Sequence, residues 1–303
     1  MTRELELAVL RACRSLCRRL GLGPVLPQII GRYSNLAVAL TPLPIVARVA
    51  TGTAVLRGTP DCARREVALA AHLSAAGAPV LAPCAADLAG PHEVDGFMIS
   101  LWPQVEVRST VPAPDQAAQA LLRCHAALGR YDGAVPVLGV FDEIARLLAL
   151  PQVLQSVPGA DRHLVAEHAQ ACRAALEAYE APNQVVHGDA HLNNVLDTAA
   201  GVRWCDWEDA IAAPIEWDLA CLVAGARVLG RQVDWAETAL RAYRDAAPYT
   251  LGRWIDDGLL DVCVHARTVF VAAWLWVLAA DDPARQQRLV ARLAWLRAQP
   301  LPA

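Results

Sequence analysis

The sequence predicts an α+β protein of two lobes, in which a small antiparallel sheet comes first and a larger, mostly helical part follows. Short runs of β-forming residues, separated by turn signals, occupy residues 24–50, and a further run ends at Pro103. Beyond this proline the apolar residues recur at helical spacing. The chain has 303 residues, which is enough for two hydrophobic cores. We therefore expect an N-terminal lobe over residues 1–101 and a C-terminal lobe over residues 102–303.

The first lobe is predicted to begin with an amphipathic helix over residues 1–20. Its apolar residues recur at helical spacing, and Gly21 and Gly23 follow as stop signals. The β-like runs that come next are short and separated by turns, which is typical of an antiparallel meander. The strands of this lobe are expected over residues 24–30, 36–40, 44–50 and 96–102, with a helix over residues 61–76 before the last of them.

The second lobe is predicted as a series of helices with one interruption. Residues 184–187 form a short β-like run, and residues 194–207 are expected to form a hairpin that turns at residues 198–201. The polar side chains of this half of the chain collect at the interruption. The helices are expected over residues 115–128, 141–150, 161–179, 214–229 and 235–246, with two more from residue 251 onward.

Charge, cysteine spacing and hydropathy argue against several classes of protein. The 27 basic and 31 acidic residues leave a net charge of -4, so no positive excess exists for a nucleic-acid backbone. Nine cysteines without C-x-x-C or zinc-ligand spacing indicate reduced thiols, and we expect a cytoplasmic protein. The longest apolar run, residues 268–280, is shorter than the about 20 residues of a membrane-spanning helix. We therefore expect neither nucleic acid nor membrane as a partner.

The densest polar stretch of the chain is HGDAHLNN over residues 187–194, followed after the predicted hairpin by DWED over residues 206–209. Phosphoryl transfer needs an acceptor for a hydroxyl proton, oxygen ligands for magnesium, and cations around the phosphates. Asp189, Asn194 and Asp206 are residue types that supply the first two. The stretch therefore suggests phosphoryl-transfer chemistry.

The pattern H-G-D-x-H-x-x-N with a later D-W-E resembles the aminoglycoside phosphotransferase and choline kinase superfamily, whose members are relatives of protein kinases. The resemblance implies a bilobal protein-kinase-like fold and transfer of the γ-phosphate of ATP or GTP, with Mg²⁺, to a hydroxyl of a small molecule. It implies that Asp189 accepts or orients this hydroxyl, while Asn194 and Asp206 bind magnesium. It also implies that His187 braces the catalytic loop and that Asp218 holds this loop from the following helix.

A weaker resemblance concerns the nucleotide side. The loop GRYSN, residues 31–35, is similar to the phosphate-facing loop of the family, with Ser34 and Asn35 as its candidate contacts. The following strand carries Arg48, where protein kinases have a lysine that pairs with a glutamate, and Glu66 lies on the next predicted helix. The chain contains no lysine, so the cation for the phosphates must be arginine, which binds phosphate bidentately. A simple salt bridge between Arg48 and Glu66 is the structural alternative.

The resemblance also suggests a role for His191 and a range of acceptors. His191 occupies the place next to the phosphates where protein kinases tend to have a lysine, so we expect it to act with Asp189 on the transferring phosphate. The acceptor could be an aminoglycoside or another antibiotic, a choline-like amino alcohol, or a sugar or cyclitol. Family association favours a hydroxylated amine or antibiotic. The residues do not distinguish ATP from GTP, antibiotic resistance from metabolism, or one oligomeric state from another.

Two other functions stay open at this stage. His187, Asp189 and His191 could ligate the metal of a hydrolase, although the other histidines show no second pair at ligand spacing. The chain could also be a pseudokinase that binds nucleotide without turnover, since its phosphate-facing loop is poor in glycine and arginine replaces the usual lysine. Glu208 could be a second magnesium ligand, and Asp209 could be a helix or turn cap.

Overall fold

The structure is a computed structural model and describes residues 2–108, 111–179, 181–279 and 282–302. The chain divides into two compact units. The first unit joins Met1–Thr110 to Leu196–Glu208, and the second joins Val111–Val195 to Asp209–Ala303. A small antiparallel sheet lies in the first unit and most helices lie in the second, so the predicted α+β class is confirmed.

The helices and strands are numbered in chain order. The helices are α1 (Arg3–Arg19), α2 (Ala54–Arg57), α3 (Pro60–Ala75), α4 (Ala86–Ala89), α5 (Pro114–Leu128), α6 (Val140–Leu148), α7 (Pro151–Ser156), α8 (Gly159–Ala178), α9 (Glu216–Leu229), α10 (Val233–Leu251), α11 (Asp257–Leu278) and α12 (Pro283–Ala298). The strands are β1 (Leu26–Arg32), β2 (Leu36–Thr41), β3 (Ile45–Val49), β4 (His92–Val94), β5 (Phe97–Pro103), β6 (Gln184–Val186), β7 (Val195–Thr198), β8 (Gly201–Trp204) and β9 (Ile211–Ala213).

The first unit is built on a five-stranded sheet in the order β1-β2-β3-β5-β4, with antiparallel neighbours throughout. The apolar face of α1 packs with the inward residues of this sheet in one buried core. Ala47 and Val49 of β3 belong to this core. Because successive side chains of a strand alternate between faces, Arg48 lies on the sheet face opposite α1.

From Leu196 onward, the hairpin of β7 and β8 belongs to the first unit, whereas the predicted boundary assigned residues 102–303 to the second lobe. The physical reason is backbone pairing with the segment after α3. Trp204 N donates to Pro79 O at 2.9 Å, Leu81 N donates to Trp204 O at 2.8 Å, and the Trp204 side chain is fully buried. The first unit also continues past the predicted boundary at residue 101, as far as Thr110.

The second unit is organised around α11, which packs against α6, α8, α9 and α12. Next to this group α5 packs against α10, and β6 pairs with β9 in an antiparallel two-stranded sheet. Most residues of α11 are buried, as expected for a helix that is apolar on all sides. The candidate catalytic loop follows β6 directly, and residues of α9 and α11 contact it.

The helix α11 is longer than the predicted apolar run of residues 268–280. It begins at Asp257 and has 22 residues, because His265 and Arg267 are accommodated inside the helix; residue 280 lies outside the described residues. Over the part of the chain that is described, α11 is the single helix long and apolar enough to cross a membrane, and 78% of its most apolar window is buried inside the protein. Such burial is typical of a core helix.

A buried histidine pair joins α8 to α11. His168 Nδ1 and His265 Nε2 lie 2.7 Å apart, the two rings stack, and the Trp295 ring meets His265 edge-on. Burial and, to a smaller extent, the charge of His168 lower the pKa of His265 to about 4. Burial also lowers the pKa of His168. Both rings are therefore neutral near pH 7.

The turn after β6 brings two backbone segments into close approach. Gly188 has φ +84°, and a Cβ at this position would overlap the carbonyl oxygen of Asp209, which lies just before β9. Gly230, which ends α9, also has positive φ (+63°), but no atom lies within 4 Å of its Cβ position. The two glycines share a backbone conformation and differ in the space around them.

We expect the histidine pair to make the protein less stable in mild acid. An unfolded histidine takes up a proton near pH 6.5, whereas folded His265 does so only near pH 4, so the unfolded state binds more protons between these values. Stability is therefore lost as the pH falls through this window, by about 2 kcal/mol between pH 7 and pH 5. Urea unfolding at both pH values measures this loss. His265→Gln should reduce it, and an unchanged loss in that variant would contradict the assignment.

We expect Gly188→Ala to destabilise the chain far more than Gly230→Ala. The positive φ costs either variant about 1 kcal/mol, whereas overlap with the Asp209 carbonyl adds several kcal/mol at position 188 alone. Denaturant unfolding of the two variants and the parent chain measures the difference. Equal destabilisation by both substitutions would mean that the close approach of the two backbones is absent in solution.

Candidate active site

The guanidinium of Arg48 on β3 is surrounded by carboxylates. Its Nη1 lies 3.3 Å from Glu66 Oε2 on α3, and its Nη2 lies 2.6 Å from Asp206 Oδ1 and 2.8 Å from Glu208 Oε2. The Arg48 side chain is 17% exposed. The structure therefore brings together the predicted residues Arg48, Glu66 and Asp206, and it adds Glu208.

Glu208 is a buried carboxylate with four partners in the first unit. Asn35 Nδ2 donates to its two oxygens at 3.2 and 3.1 Å, and Thr53 Oγ1 lies 3.4 Å from Oε2. Arg57 Nη1 lies 3.6 Å from Oε1, and Arg48 is the fourth partner. Glu208 thus links the segment after β8 to the loop before β2 and to the segment after β3.

The loop between β1 and β2 is anchored by Asn35. Asn35 Oδ1 accepts from Thr51 N at 2.9 Å and from Thr53 Oγ1 at 2.9 Å, while its nitrogen serves Glu208. The carbonyl of the half-buried Ser34 accepts from Gly52 N at 2.8 Å. The predicted phosphate-facing loop is therefore held in one conformation, and the Asn35 side chain is used for that purpose.

We refer to Arg48, Arg57, Glu66, Asp206 and Glu208 as the Arg48 cluster. Burial by itself would lower the pKa of Arg48, but the charges of Asp206, Glu208 and Glu66 outweigh burial and hold this pKa well above its usual value. Arg48 is therefore always charged. With three carboxylates around two guanidinium groups, the cluster has an excess of negative charge in a poorly hydrated place, which suits an additional cation.

Asp206 has the chemistry of a magnesium ligand. Its carboxylate is a hard oxygen donor, its side chain is 33% exposed, and its backbone adopts a positive φ of 66°, which Asp tolerates better than most residues. Asn194, an amide-oxygen donor, belongs to the second unit. Magnesium usually takes one or two protein ligands and completes its shell with water and phosphate oxygens. Asp206, a partly exposed oxygen donor, fits that requirement.

The loop of residues 187–194 contains the predicted catalytic aspartate. Asp189 N donates to His187 Nδ1 at 3.3 Å, so the fully buried His187 ring supports the backbone of the loop. Asn194 Nδ2 donates to Asp189 O at 2.9 Å and to Asp189 Oδ2 at 3.2 Å. These bonds fold the loop back on itself and fix the Asp189 carboxylate.

Asp218 on α9 holds the start of this loop. Its carboxylate accepts from His187 N at 2.7 Å and from Gly188 N at 2.8 Å, and it lies 2.8 Å from His125 Nε2 on α5. His125 Nδ1 is in turn 2.5 Å from the Tyr243 hydroxyl on α10. Asp218 and His125 are both fully buried. A buried charge is tolerated only when it is this fully hydrogen-bonded, so Asp218 specifies the loop conformation.

Arg267 on α11 forms an ion pair with Asp189. Burial by itself would raise the pKa of Asp189, but the charges of Arg267 and His191 hold it well below its usual range. Burial would likewise lower the pKa of Arg267, and Asp189 reverses that effect. Arg267 Nη1 also lies 3.5 Å from the carbonyl oxygen of Gly188. The pair keeps Asp189 ionised and oriented.

His191 is the other predicted catalytic residue, and it lies beside Asp189. Its Nε2 is 3.2 Å from Asp189 Oδ2, and its Nδ1 accepts from Asn193 N at 3.1 Å. The His191 side chain is 32% exposed, in contrast to the buried His187. The ring can therefore meet a bound molecule and contact Asp189 at the same time.

The geometry gives no support to a metal-dependent hydrolase. Throughout the described ranges, no three His, Cys, Asp or Glu side chains are grouped so that they could hold a metal ion. His187 is fully buried, and its Nδ1 accepts from the backbone of Asp189. His187, Asp189 and His191 thus form hydrogen bonds within one loop, and the two rings have different surroundings.

Sequence reasoning missed Arg267 and Glu208 as members of these clusters. Arg267 lies 78 residues from its partner Asp189, and nothing local relates the two. One signal was available, since an arginine inside a long apolar helix must have a polar partner. Glu208 was considered only as a possible second magnesium ligand, because nothing near it in the sequence indicates its contacts with Arg48, Arg57 and Asn35.

Solved structures with the same fold are distant in sequence. Amicoumacin kinase hAmiN, solved with AMP-PNP, Ca²⁺ and Ami, is 13% identical with a TM-score of 0.71, and the match covers 100% of this chain and 98% of that one. Choline kinase LicA from Streptococcus pneumoniae is 15% identical with a TM-score of 0.67, over 94% and 99%. Spectinomycin phosphotransferase APH(9)-Ia, solved with ADP and spectinomycin, is 14% identical with a TM-score of 0.58, over 95% of each chain.

No protein of curated function matches this chain in sequence. The structural neighbours establish a kinase-like fold, in agreement with the predicted one. A sequence model of the Phosphotransferase enzyme family (APH) matches residues 26–257, which is more than half of the chain. This span includes the Arg48 cluster and the loop that carries Asp189. The chain therefore belongs to the APH phosphotransferase enzyme family.

Proposed function

We propose that this chain is a small-molecule kinase that uses magnesium and ATP or GTP to phosphorylate a hydroxyl group. The observation that carries the proposal is the Asp189 carboxylate, which the loop and Arg267 hold ionised and oriented. Phosphoryl transfer needs such a group to receive the hydrogen bond of the attacking hydroxyl. Membership of a phosphotransferase family supports the same chemistry.

In this proposal Asp189 positions the acceptor more than it activates it. Its lowered pKa makes it a weak base, so its main contribution is to aim the hydroxyl oxygen at the phosphorus atom. In a largely dissociative transfer the bond to the leaving oxygen is mostly broken before the hydroxyl loses its proton. Asp189 then accepts that proton late. His191 contributes a second hydrogen-bonding group beside the transferring phosphate.

The first unit supplies the proposed nucleotide contacts. The Arg48 guanidinium gives up its ion pair with Asp206 and binds a phosphate oxygen instead. This exchange is possible because a planar guanidinium binds carboxylate and phosphate in the same way. Glu66 and Glu208 hold the guanidinium in place during this exchange. Ser34 faces the phosphates, whereas Asn35 acts indirectly by fixing the loop.

Asp206 and Asn194 are the proposed magnesium ligands. When bound, magnesium neutralises charge on the phosphate oxygens, and such charge stabilisation is a main source of rate in phosphoryl transfer. Asp206 becomes available to a cation once Arg48 turns to the phosphate. The negative excess of the Arg48 cluster favours the arrival of that cation.

The solved structures with this fold support the proposed class of reaction. One is an amicoumacin kinase solved with AMP-PNP, and another is a spectinomycin phosphotransferase solved with ADP and spectinomycin. A third is a choline kinase. The presence of Asp189, Asn194 and Asp206 argues against the pseudokinase alternative.

We also propose that the protein works in the cytoplasm. All nine cysteines are free thiols, which suits a reducing compartment. Its net charge of -4 supports a small-molecule partner over nucleic acid.

Asp189→Asn should abolish acceptor-dependent nucleotide consumption and leave nucleotide binding intact. Loss of this carboxylate removes the hydrogen-bond acceptor for the hydroxyl, with an expected loss in rate of about 10²- to 10⁴-fold. The measurement is magnesium-dependent nucleotide consumption with a panel of hydroxylated antibiotics, amino alcohols, sugars and sugar acids. Asp245→Asn, on an exposed residue of α10, is the control and should keep full activity.

The same experiment can reject the proposal in two ways. A chain that binds no nucleotide is not a kinase of any kind. A chain that binds nucleotide but consumes none with any acceptor is a pseudokinase. Equal activity in Asp189→Asn and the parent chain would mean that Asp189 is not the catalytic residue.

Arg48→Lys should weaken nucleotide binding while the protein remains folded. A lysine keeps the charge but cannot reach Glu66, Glu208 and a phosphate at once, so we expect the nucleotide Kd to rise about tenfold. Isothermal titration with a non-hydrolysable nucleotide and magnesium measures the change. Arg64→Lys, on the exposed side of α3, is the matched control. Equal affinity in Arg48→Lys and the control would remove Arg48 from the nucleotide site.

A further inference from the structure

A cavity of about 250 Å³ lies in the second unit, between α9, α11, α12 and the start of α10. It is lined by apolar residues of α9, by Trp235, and by arginines at positions 231, 267, 288 and 292. Gly225 also lines it, and no atom lies within 4 Å of the Cβ position of this glycine. The cavity has room for a molecule of about the size of a sugar, smaller than the about 300–1,000 Å³ of typical ligand pockets.

The cavity adjoins the candidate catalytic loop. His191 and Arg267 both line it, and both contact the carboxylate of Asp189. The residues that orient Asp189 are therefore also the wall of the cavity. A molecule held there can present a hydroxyl group to Asp189 while its other end lies against α12.

The charged side chains that line the cavity are positive. Four arginines line it, and none of the described residues that line it is Asp or Glu. Arg267 is neutralised by Asp189. For Arg231, Arg288 and Arg292, no carboxylate among the residues described lies within the 4.0 Å of an ion pair. Arg288 Nε and Arg292 Nη1 donate only to backbone carbonyl oxygens of their own helix, at 3.2 Å each.

The electrostatics of these arginines agree with the geometry. Burial, followed by the charges of Arg267, Arg288 and Arg231, lowers the pKa of Arg292 to about 10. Burial and the charges of Arg231 and Arg285 also lower the pKa of Arg288, and Asp282 opposes this only in part. Like charges at a half-buried site are unfavourable unless an anion joins them.

We propose that the acceptor carries an anionic group, a carboxylate or a phosphate, which Arg231, Arg288 and Arg292 bind while a hydroxyl of the same molecule meets Asp189. The inference rests on the proposed kinase function and replaces the expected amine or aminoglycoside with an acid. Guanidinium groups bind carboxylate and phosphate through short, charge-assisted hydrogen bonds. An ammonium group in the same place would be repelled by these arginines.

The reaction then balances in the usual way for a kinase. The bond from the γ-phosphorus to the bridging oxygen of the nucleotide breaks, and a bond from the same phosphorus to the acceptor oxygen forms. The hydroxyl proton passes to Asp189 and then to solvent. The products are a nucleoside diphosphate and a phosphate ester that retains the anionic group of the acceptor.

Inorganic sulfate tests the anion site without any turnover. Isothermal titration at constant ionic strength should detect sulfate binding to the full chain, and Arg292→Gln should weaken it about tenfold, since one charged hydrogen bond is worth roughly that factor. Gly225→Leu should weaken it as well, because the new side chain occupies the cavity. Arg64→Gln, on an exposed arginine of α3, is the control and should bind sulfate like the parent chain. Unchanged binding in both cavity variants would overturn the proposal.

A matched series of sugars tests the acceptor class. With ATP or GTP and magnesium, gluconate and glucose 6-phosphate separate the two anionic groups, glucose is neutral, and glucosamine is cationic. An anionic member should have a KM about tenfold below that of glucosamine, and Arg292→Gln should remove the difference. Preference for glucosamine would overturn the inference while the kinase function stands. Sulfate binding in the cavity with no nucleotide consumption by any acceptor would overturn the kinase function and keep the anion site.

Discussion

The carboxylate of Asp218 is the interaction on which the second unit's candidate site depends. It is fully buried, so its charge is tolerated only because two backbone N–H groups of the loop and the ring of His125 surround it. Tyr243 completes this set through His125. Asp218, His125 and Tyr243 lie on three helices, α9, α5 and α10, and Arg267 comes from a fourth, α11. The orientation of Asp189 therefore depends on helix packing as well as on the hydrogen bonds within the loop.

Charge balance distinguishes the two clusters of the molecule. In the Arg48 cluster three carboxylates outnumber two guanidinium groups, whereas the cavity beside α12 has arginines and no acid among its described lining residues. Both clusters use arginine because the chain has no lysine. Arginine keeps its proton even when it is buried beside other cations. A lysine in the same place would lose its proton, and the positive charge of the site with it.

The sequence was sufficient for the fold class, for most elements and for the polar loop after β6. Those features depend on local patterns: the spacing of apolar residues, turn residues, and a dense motif. It was insufficient where distant segments meet. The hairpin of β7 and β8 follows the helical half in sequence, yet Trp204 pairs with residues 79–81, which places Asp206 and Glu208 in the first unit. Arg267 likewise has no local signal that names Asp189 as its partner. Short elements such as β4 and β9 were missed because each has three residues and acquires its form by pairing with a longer strand or with another short one.

The family match ends at residue 257, which is also the first residue of α11. Arg267, Arg288 and Arg292 all lie beyond that point. The matched span therefore contains the Arg48 cluster and the loop that carries Asp189, whereas three of the four arginines that line the cavity lie on α11 and α12, beyond that span. Because Arg288 and Arg292 on α12 donate to backbone carbonyl oxygens of their own helix, a substitution at either residue changes the charge of the cavity and leaves the hydrogen bonds of the catalytic loop in place.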